Sequence, residues 1–310
     1  MRYGRLGTSD IEVSVVALGC MTLGTDKTNV QRVIRTALDL GVTLFDTADL
    51  YDHGTNEELV GEALRGARAG VVIATKVGNR RRPDGSGWDW DPTREYILQE
   101  VNESLRRLKT DFIDLYQLHG GTMEDPVEET VGAFEQLRKE GKIRAWGISS
   151  IRPNVVRRYA QVAARGSARP ASEMVQYSLL DRRPEEEILA TARAAGFGVL
   201  VRGAVAGGLL AGKPPAGYLE LSPSEVQAAQ EALRQVTGGS GADAGPGKEM
   251  AKAAIRFVLG NPAVTAVVAG ASSAAQVEAN AAAADAPPMT AAQRKTLNEA
   301  VRRLRYTSHR

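Results

Sequence analysis

The chain holds one cysteine, Cys20, in 310 residues. An internal disulfide is excluded, and so is a zinc site built on cysteine thiolates. A reducing compartment fits this poverty in cysteine. Excess charge is missing too: 39 Lys and Arg oppose 37 Asp and Glu, a net charge of +2. Proteins that grip nucleic acid gather basic residues into a patch, so no nucleic-acid partner is expected. No stretch approaches the roughly 18 apolar residues of a membrane span. The opening MRYGRLGTSDIEVSVVALGC is charged throughout and does not read as a signal peptide. The expectation is a cytoplasmic protein without a membrane partner. Two nucleotide signatures are also lacking: there is no GxGxxG after a strand, and no GKS or GKT. GAVAGGLLAG (203–212) has the wrong glycine spacing, and GSGADAG (239–245) follows no strand.

With 43% apolar and 25% charged residues, the chain has the make-up of a globular protein. Eight short apolar runs alternate with longer amphipathic ones. The apolar runs are 15–21, 43–48, 71–78, 112–119, 143–150, 174–180, 198–205 and 263–271. Helical patterns cover 28–40, 56–67, 93–108, 126–140, 153–165, 184–195 and 248–259, with a final region at 274–284 and 290–304. Pro92, Pro126, Pro153 and Pro184 mark helix starts. Gly41, Gly141 and Gly196 stand where a left-handed cap ends a helix. Strands that are apolar nearly throughout are buried on both faces, as parallel strands are. Eight strand–helix units predict an α/β fold, a (β/α)₈ TIM barrel formed as a single domain over 1–310, preferred to a doubly wound open sheet. GRLGTSDIEVS predicts an N-terminal hairpin closing one end. Residues 79–92 form a long loop after the third strand, and 213–247 a longer insertion after the seventh. The insertion carries one helix over 222–236 and a mobile, low-complexity run over 237–247. Both follow strands, the side on which barrels build active sites.

Three successive strands end in residues that move or polarise protons. Asp46, with Tyr51 five residues on, follows the second strand, Lys76 ends the third and His119 the fourth. An unpaired charge in a barrel wall is costly, so Lys76 needs a partner, and Asp46 is one strand away. A lysine cation beside a phenol favours phenolate and lowers its pKa. Such a set suits acid catalysis at a carbonyl group. GASSAAQVEAN (270–280) opens a helix with free N–H groups and hydroxyls, which suits an anion; the alternative is ordinary N-capping by Ser272 or Ser273, which needs no ligand.

Several long motifs, in order, resemble the aldo-keto reductase family over nearly the whole chain: FDTADLYDHGTNEELVGEAL (45–64), IATKVG, DFIDLYQLH, GKIRAWGISS, VQYSLLDRR, GLLAGK and AGASSAAQVEAN. The resemblance implies a barrel that binds NADPH in extended form and reduces a small-molecule carbonyl substrate. It implies a tetrad of Asp46, Tyr51, Lys76 and His119. Tyr51 would protonate the alkoxide, Lys76 with Asp46 would tune it, and His119 would orient the carbonyl. It places Ser149 and Gln176 on the nicotinamide carboxamide. Arg202 stands where relatives stack an aromatic ring on the nicotinamide. Gly203, Leu209 and Lys213 belong to the pyrophosphate segment, and Gly270, Ser272, Gln276 and Asn280 to the adenosine end.

The pattern is broken in three places. Ser150 replaces a frequent Asn, and Ala279 replaces a frequent acid. Neither Ser272 nor Gln276 is basic, so a cation from elsewhere, with Lys213 the candidate, would have to hold a 2′-phosphate. NADPH (NADP⁺) is favoured and NADH left open. Trp88 and Trp90 in the 79–92 loop either wall a substrate pocket or pin the loop to the rim. Two other functions compete: a cofactor-binding regulatory subunit of the same fold, and a lyase using Lys76 as a Schiff base.

Overall fold

The computed structural model describes residues 1–165, 169–238 and 246–310. Eight parallel strands close into a barrel: β1 (Val16–Gly19), β2 (Leu44–Asp46), β3 (Val72–Val77), β4 (Ile113–Leu118), β5 (Ile143–Ser149), β6 (Ser172–Gln176), β7 (Gly198–Arg202) and β8 (Val264–Gly270). Each pairs with its neighbour in sequence, and β8 closes on β1, with Val267 opposite Val16 and Gly270 opposite Gly19. Seven strands fall inside the apolar runs. β6 begins two residues before its run, because Ser172 and Glu173 pair with Gly147 and Ile148 although neither is apolar.

The helices are α1 (Lys27–Asp39), α2 (Thr55–Leu64), α3 (Arg94–Leu108), α4 (Val127–Lys139), α5 (Pro153–Arg165), α6 (Ile188–Ala195), α7 (Pro223–Val236), α8 (Pro246–Leu259), α9 (Ala274–Ala281) and α10 (Ala291–Ala300). Gly41, Gly141 and Gly196 are left-handed, as their places after helices predict. Pro92 precedes a cap and does not open α3: Thr93 is the N-cap, itself held by the Asp91 carboxylate. The 184–195 pattern breaks at Glu187 into a short 3-10 turn and α6. The 290–304 pattern stops at Ala300 because the tail is drawn off by other partners: Arg302 pairs with Glu225, and the Tyr306 N–H donates to Glu186. Within the insertion, α7 carries a full capping box from Ser222 and Glu225. Residues 239–245 of the low-complexity run lie outside the described residues.

Two apolar layers hold the fold. One fills the barrel, with Ala17, Leu44, Val72, Ala74, Leu115, Ala145, Met174, Leu200, Ala266 and Val268. Leu6, Ile11 and Val13 of the N-terminal hairpin (Tyr3–Arg5 with Glu12–Ser14) join this interior layer. The hairpin sits at the strands' N-terminal end, where Thr8 N–H donates to the Gly196 carbonyl. The other layer packs helices on the barrel's outer face. No helix among the described residues is long and apolar enough to cross a membrane.

Within that outer layer α2 lies close against the end of α3. A Cβ on Gly61 would sit 2.2 Å from the Leu108 carbonyl oxygen, a backbone atom that cannot swing aside. Gly61→Ala is expected to lower stability by about 1–3 kcal/mol or more, read as a fall in the denaturation midpoint.

Candidate active site

Side chains alternate along a strand, so residues two apart share a face. The inward faces carry Leu44, Ala74, Leu115, Ala145, Met174, Leu200 and Ala266. Continuing toward the C-terminal ends on those same faces come Asp46, Lys76, Gln117, Ser149, Gln176, Arg202 and Gly270. The barrel changes from an apolar fill to a polar floor in about one layer, and most residues singled out in the sequence lie on that floor.

Lys76 is 1% exposed. Its Nζ donates to Asp46 Oδ1 at 2.6 Å and to the Thr47 carbonyl at 2.6 Å. Burial disfavours the ammonium, yet Asp46 and the Tyr51 phenol outweigh it and hold the Lys76 pKa above its ordinary value. Gln117 was not singled out in the sequence. Its Nε2 donates to the second Asp46 oxygen at 3.4 Å, and its Oε1 accepts from Ser172 Oγ at 3.4 Å. Cys20 lies beside Asp46, and burial pushes its thiol up, which leaves the lone cysteine unreactive.

The Tyr51 ring has the Lys76 Nζ 5.1 Å from its centroid. Burial raises the Tyr51 pKa, and Lys76 draws it back only in part, so the net shift is upward and the group is a phenol. The expected lowering by Lys76 is present but does not win. Immediately after Tyr51 the backbone is left-handed at Asp52, His53 and Gly54, a conformation costly for residues with a Cβ. Asn56, buried on α2, holds this turn. Its amide donates to the Cys20 carbonyl at 3.0 Å and to Asp52 Oδ2 at 3.3 Å, and its oxygen accepts from Thr47 Oγ1 at 2.7 Å.

His119 meets Tyr51 edge to face, ring centroids 6.1 Å apart. Burial, Lys76 and Arg202 depress its pKa to about 3, so the imidazole is neutral. Its Nδ1 is buried without a partner. Trp90 both walls the cavity and pins the loop. Its Nε1 donates to Asp125 at 2.8 Å, while a Cβ on Gly78 would sit 2.6 Å from the ring and one on Gly120 3.0 Å. Trp88 is 57% exposed and lines the cavity, as do the exposed Met21 and Ile151.

A cavity of about 1330 Å³ runs from this floor across the rim. Asp46, Tyr51, Lys76, His119, Ser149, Gln176, Arg202, Gly203, Lys213, Gly270, Ser272, Gln276, Asn280, Trp88 and Trp90 all line it. Leu209 does not: it follows two left-handed glycines, Gly207 and Gly208, and packs against the outer core instead. The Ser150 hydroxyl accepts from the Arg152 N–H and serves its own turn. Ser273, not Ser272, caps α9. Gln176 is engaged on both sides: its oxygen accepts from Arg202 at 2.9 Å and its amide donates to Asp181 and Tyr218. Lys248 on α8 and Tyr218 in the insertion also line the cavity, and nothing in the local sequence pattern marks either. The donors suit a dinucleotide: amide and hydroxyl groups by the tetrad, glycine-lined backbone beyond, and lysines at the far rim. No group of His, Cys, Asp and Glu that would hold a metal occurs among the described residues.

A sequence model described as the Aldo/keto reductase family matches residues 15–302. The uncharacterized oxidoreductase YqkF of Bacillus subtilis is 44% identical, with all of both chains covered. The aldo-keto reductase YhdN of the same organism is 36% identical over 69% of this chain and 65% of its own length. Among solved structures, the holo form of the aldo-keto reductase AKR11C1 from Bacillus halodurans superposes with a TM-score of 0.90 at 45% identity. That match covers 100% of this chain and 99% of the other. The apo form of that protein gives a TM-score of 0.81 at 42% identity over the same coverage.

Asn56→Ala would strand the Cys20 carbonyl and the Thr47 hydroxyl, at about 1–3 kcal/mol for each buried group left unpaired. The expected outcome is a lower denaturation midpoint together with a lower kcat, since the turn that carries Tyr51 loses its anchor.

Proposed function

The chain belongs to the aldo-keto reductase family, an oxidoreductase family that uses NAD(P)H, and we propose that this member reduces aldehydes or ketones to alcohols with NADPH, Tyr51 acting as general acid. The observation that carries the reading is the buried Lys76, 2.6 Å from Asp46 and beneath the Tyr51 ring, at the floor of the long cavity. When bound, the dinucleotide supplies a hydride to the carbonyl carbon.

This chain's residues supply the rest. Tyr51 gives its phenolic proton to the carbonyl oxygen, and the phenolate left behind is stabilised by the Lys76 ammonium. Asp46 and the Thr47 carbonyl keep that ammonium charged and aimed, and Gln117 steadies Asp46. Neutral His119 has one N–H to offer the carbonyl oxygen. Trp90, Trp88, Ile151 and Met21 give the mouth an apolar lining. Ser149 and Gln176 are the proposed carboxamide contacts, with Gln176 exchanging a protein partner for the ligand. Arg202 is held beside them with its planar guanidinium available for stacking. A Schiff-base role for Lys76 fits poorly, since that chemistry needs a neutral amine and the balance at Lys76, where Asp46 and Tyr51 outweigh burial, favours the charged one.

Purified protein is titrated with NADPH and NADH, and a panel of aldehydes is then added while reduced-nicotinamide absorbance is followed. Aldehyde-dependent oxidation of NADPH is the expected result. Tyr51→Phe should lower kcat by roughly 10²–10⁴-fold while leaving dinucleotide affinity near wild type. Tight binding without turnover on any aldehyde would favour the regulatory-subunit reading.

The pH profile follows from the sign of the Tyr51 shift. A phenol held above its ordinary value stays protonated through neutral pH, so reduction should fall only above about pH 10. Lys76→Met removes the group that draws the Tyr51 pKa down. Its alkaline limb should therefore move further up, alongside a loss of rate.

A further inference from the structure

The far rim of the cavity lies between two helices. On α8, Lys248 and Ala251 line it, and on α9, Ala275, Gln276 and Ala279. These spacings of three and four place each set on one helical face. The α9 face carries no charge, and Ser272 just before it is also neutral. Ser272 N–H and Oγ both donate to Gln276 Oε1, at 2.8 and 3.1 Å. Among the described lining residues the sole carboxylate is Asp46, which Lys76 already engages on the barrel floor. Among the described residues the rim therefore offers no acid to a ribose 2′-hydroxyl, the group by which NAD sites commonly select their ligand.

Two lysines reach this rim. Lys213 folds back on its own turn: its Nζ donates to the Gly207 carbonyl at 2.7 Å, and its Cε would lie 2.8 Å from a Cβ on Gly208. The Lys248 side chain has no hydrogen-bond or ion-pair partner among the described residues. On these grounds, and resting on the dinucleotide reading above, we propose that Lys248 recognises the 2′-phosphate of NADPH and selects it over NADH. An ammonium group on a helical face is a point charge able to meet a phosphate from several directions. Lys213, held over the glycine turn, is left for the pyrophosphate segment.

The test is equilibrium binding, read by fluorescence or calorimetry, and does not depend on turnover. Wild type, Lys248→Ala, Lys248→Arg and Lys213→Ala are titrated with NADPH, NADH, 2′,5′-ADP and 5′-AMP, with thermal midpoints as the folding control. Lys248→Ala should weaken NADPH and 2′,5′-ADP by roughly tenfold or more, the scale of one charge-assisted hydrogen bond, and leave NADH and 5′-AMP within about twofold. Lys248→Arg should retain the preference, and the difference between wild type and Lys248→Ala should shrink with added salt. Equal losses for NADPH and NADH, no loss at all, or a loss of 2′-phosphate preference confined to Lys213→Ala would each overturn the assignment while the reductase reading stands. A wild-type protein that binds neither dinucleotide would overturn both.

Discussion

A lysine all but shut off from solvent has to be answered inside the protein, and the upper half of this barrel is organised around that requirement. Lys76 sits on the inward face of β3, one step above the purely apolar fill. Its charge is tolerable because Asp46 and the Thr47 carbonyl accept hydrogen bonds from two of its three N–H groups at short range. Neither acceptor is free to wander. Asp46 is braced by Gln117, and Thr47 is tied through Asn56 to α2. The desolvation that makes the pair expensive also strengthens the field that Lys76 projects onto Tyr51. Cost and function here come from the same burial.

Behind the Tyr51 turn the same logic recurs with the signs exchanged. Glu57, fully buried on α2, accepts from Thr75 Oγ1 at 2.6 Å and from Arg107 Nε at 2.6 Å. This ties the helix after Tyr51 to the strand that bears Lys76 and to α3. Tyr51, the proposed general acid, is thus carried on a turn fixed by polar contacts on both flanks, Asn56 toward the barrel and Glu57 toward the outer helices. Strained residues at positions 52 and 53 persist because these neighbours leave the backbone no alternative.

The barrel could be read from the alternation of apolar runs because every strand is buried on two faces, and the tetrad because its members are titratable residues at strand ends. Gln117 escaped notice. It shares a face with Leu115, but a neutral amide in a strand gives no electrostatic signal until its partner is seen. Lys248 escaped for a different reason. It belongs to a helix in sequence far from the tetrad, and only packing of α8 beside α9 brings it to the rim. Leu209 stands apart: likeness of motif puts it in the pyrophosphate segment, while its side chain, after two left-handed glycines, packs against the outer core. Trp88 and Trp90 were undecided because one loop does both things: Trp90 is pinned, and Trp88 is left exposed.

The ring of strands closes only through its two ends in sequence, β8 laid against β1, and the Met1 ammonium meets Asp285 close by. Contacts of such separation are slow to form, since most of the chain has to be ordered before they are made. A nascent chain that has not yet produced β8 therefore holds β1 and β7 with unpaired, apolar edges, the kind of surface on which chains associate. The finished molecule presents no such edge in its barrel. Its growth as a polypeptide thus passes through a vulnerable stage that ends when the last strand arrives.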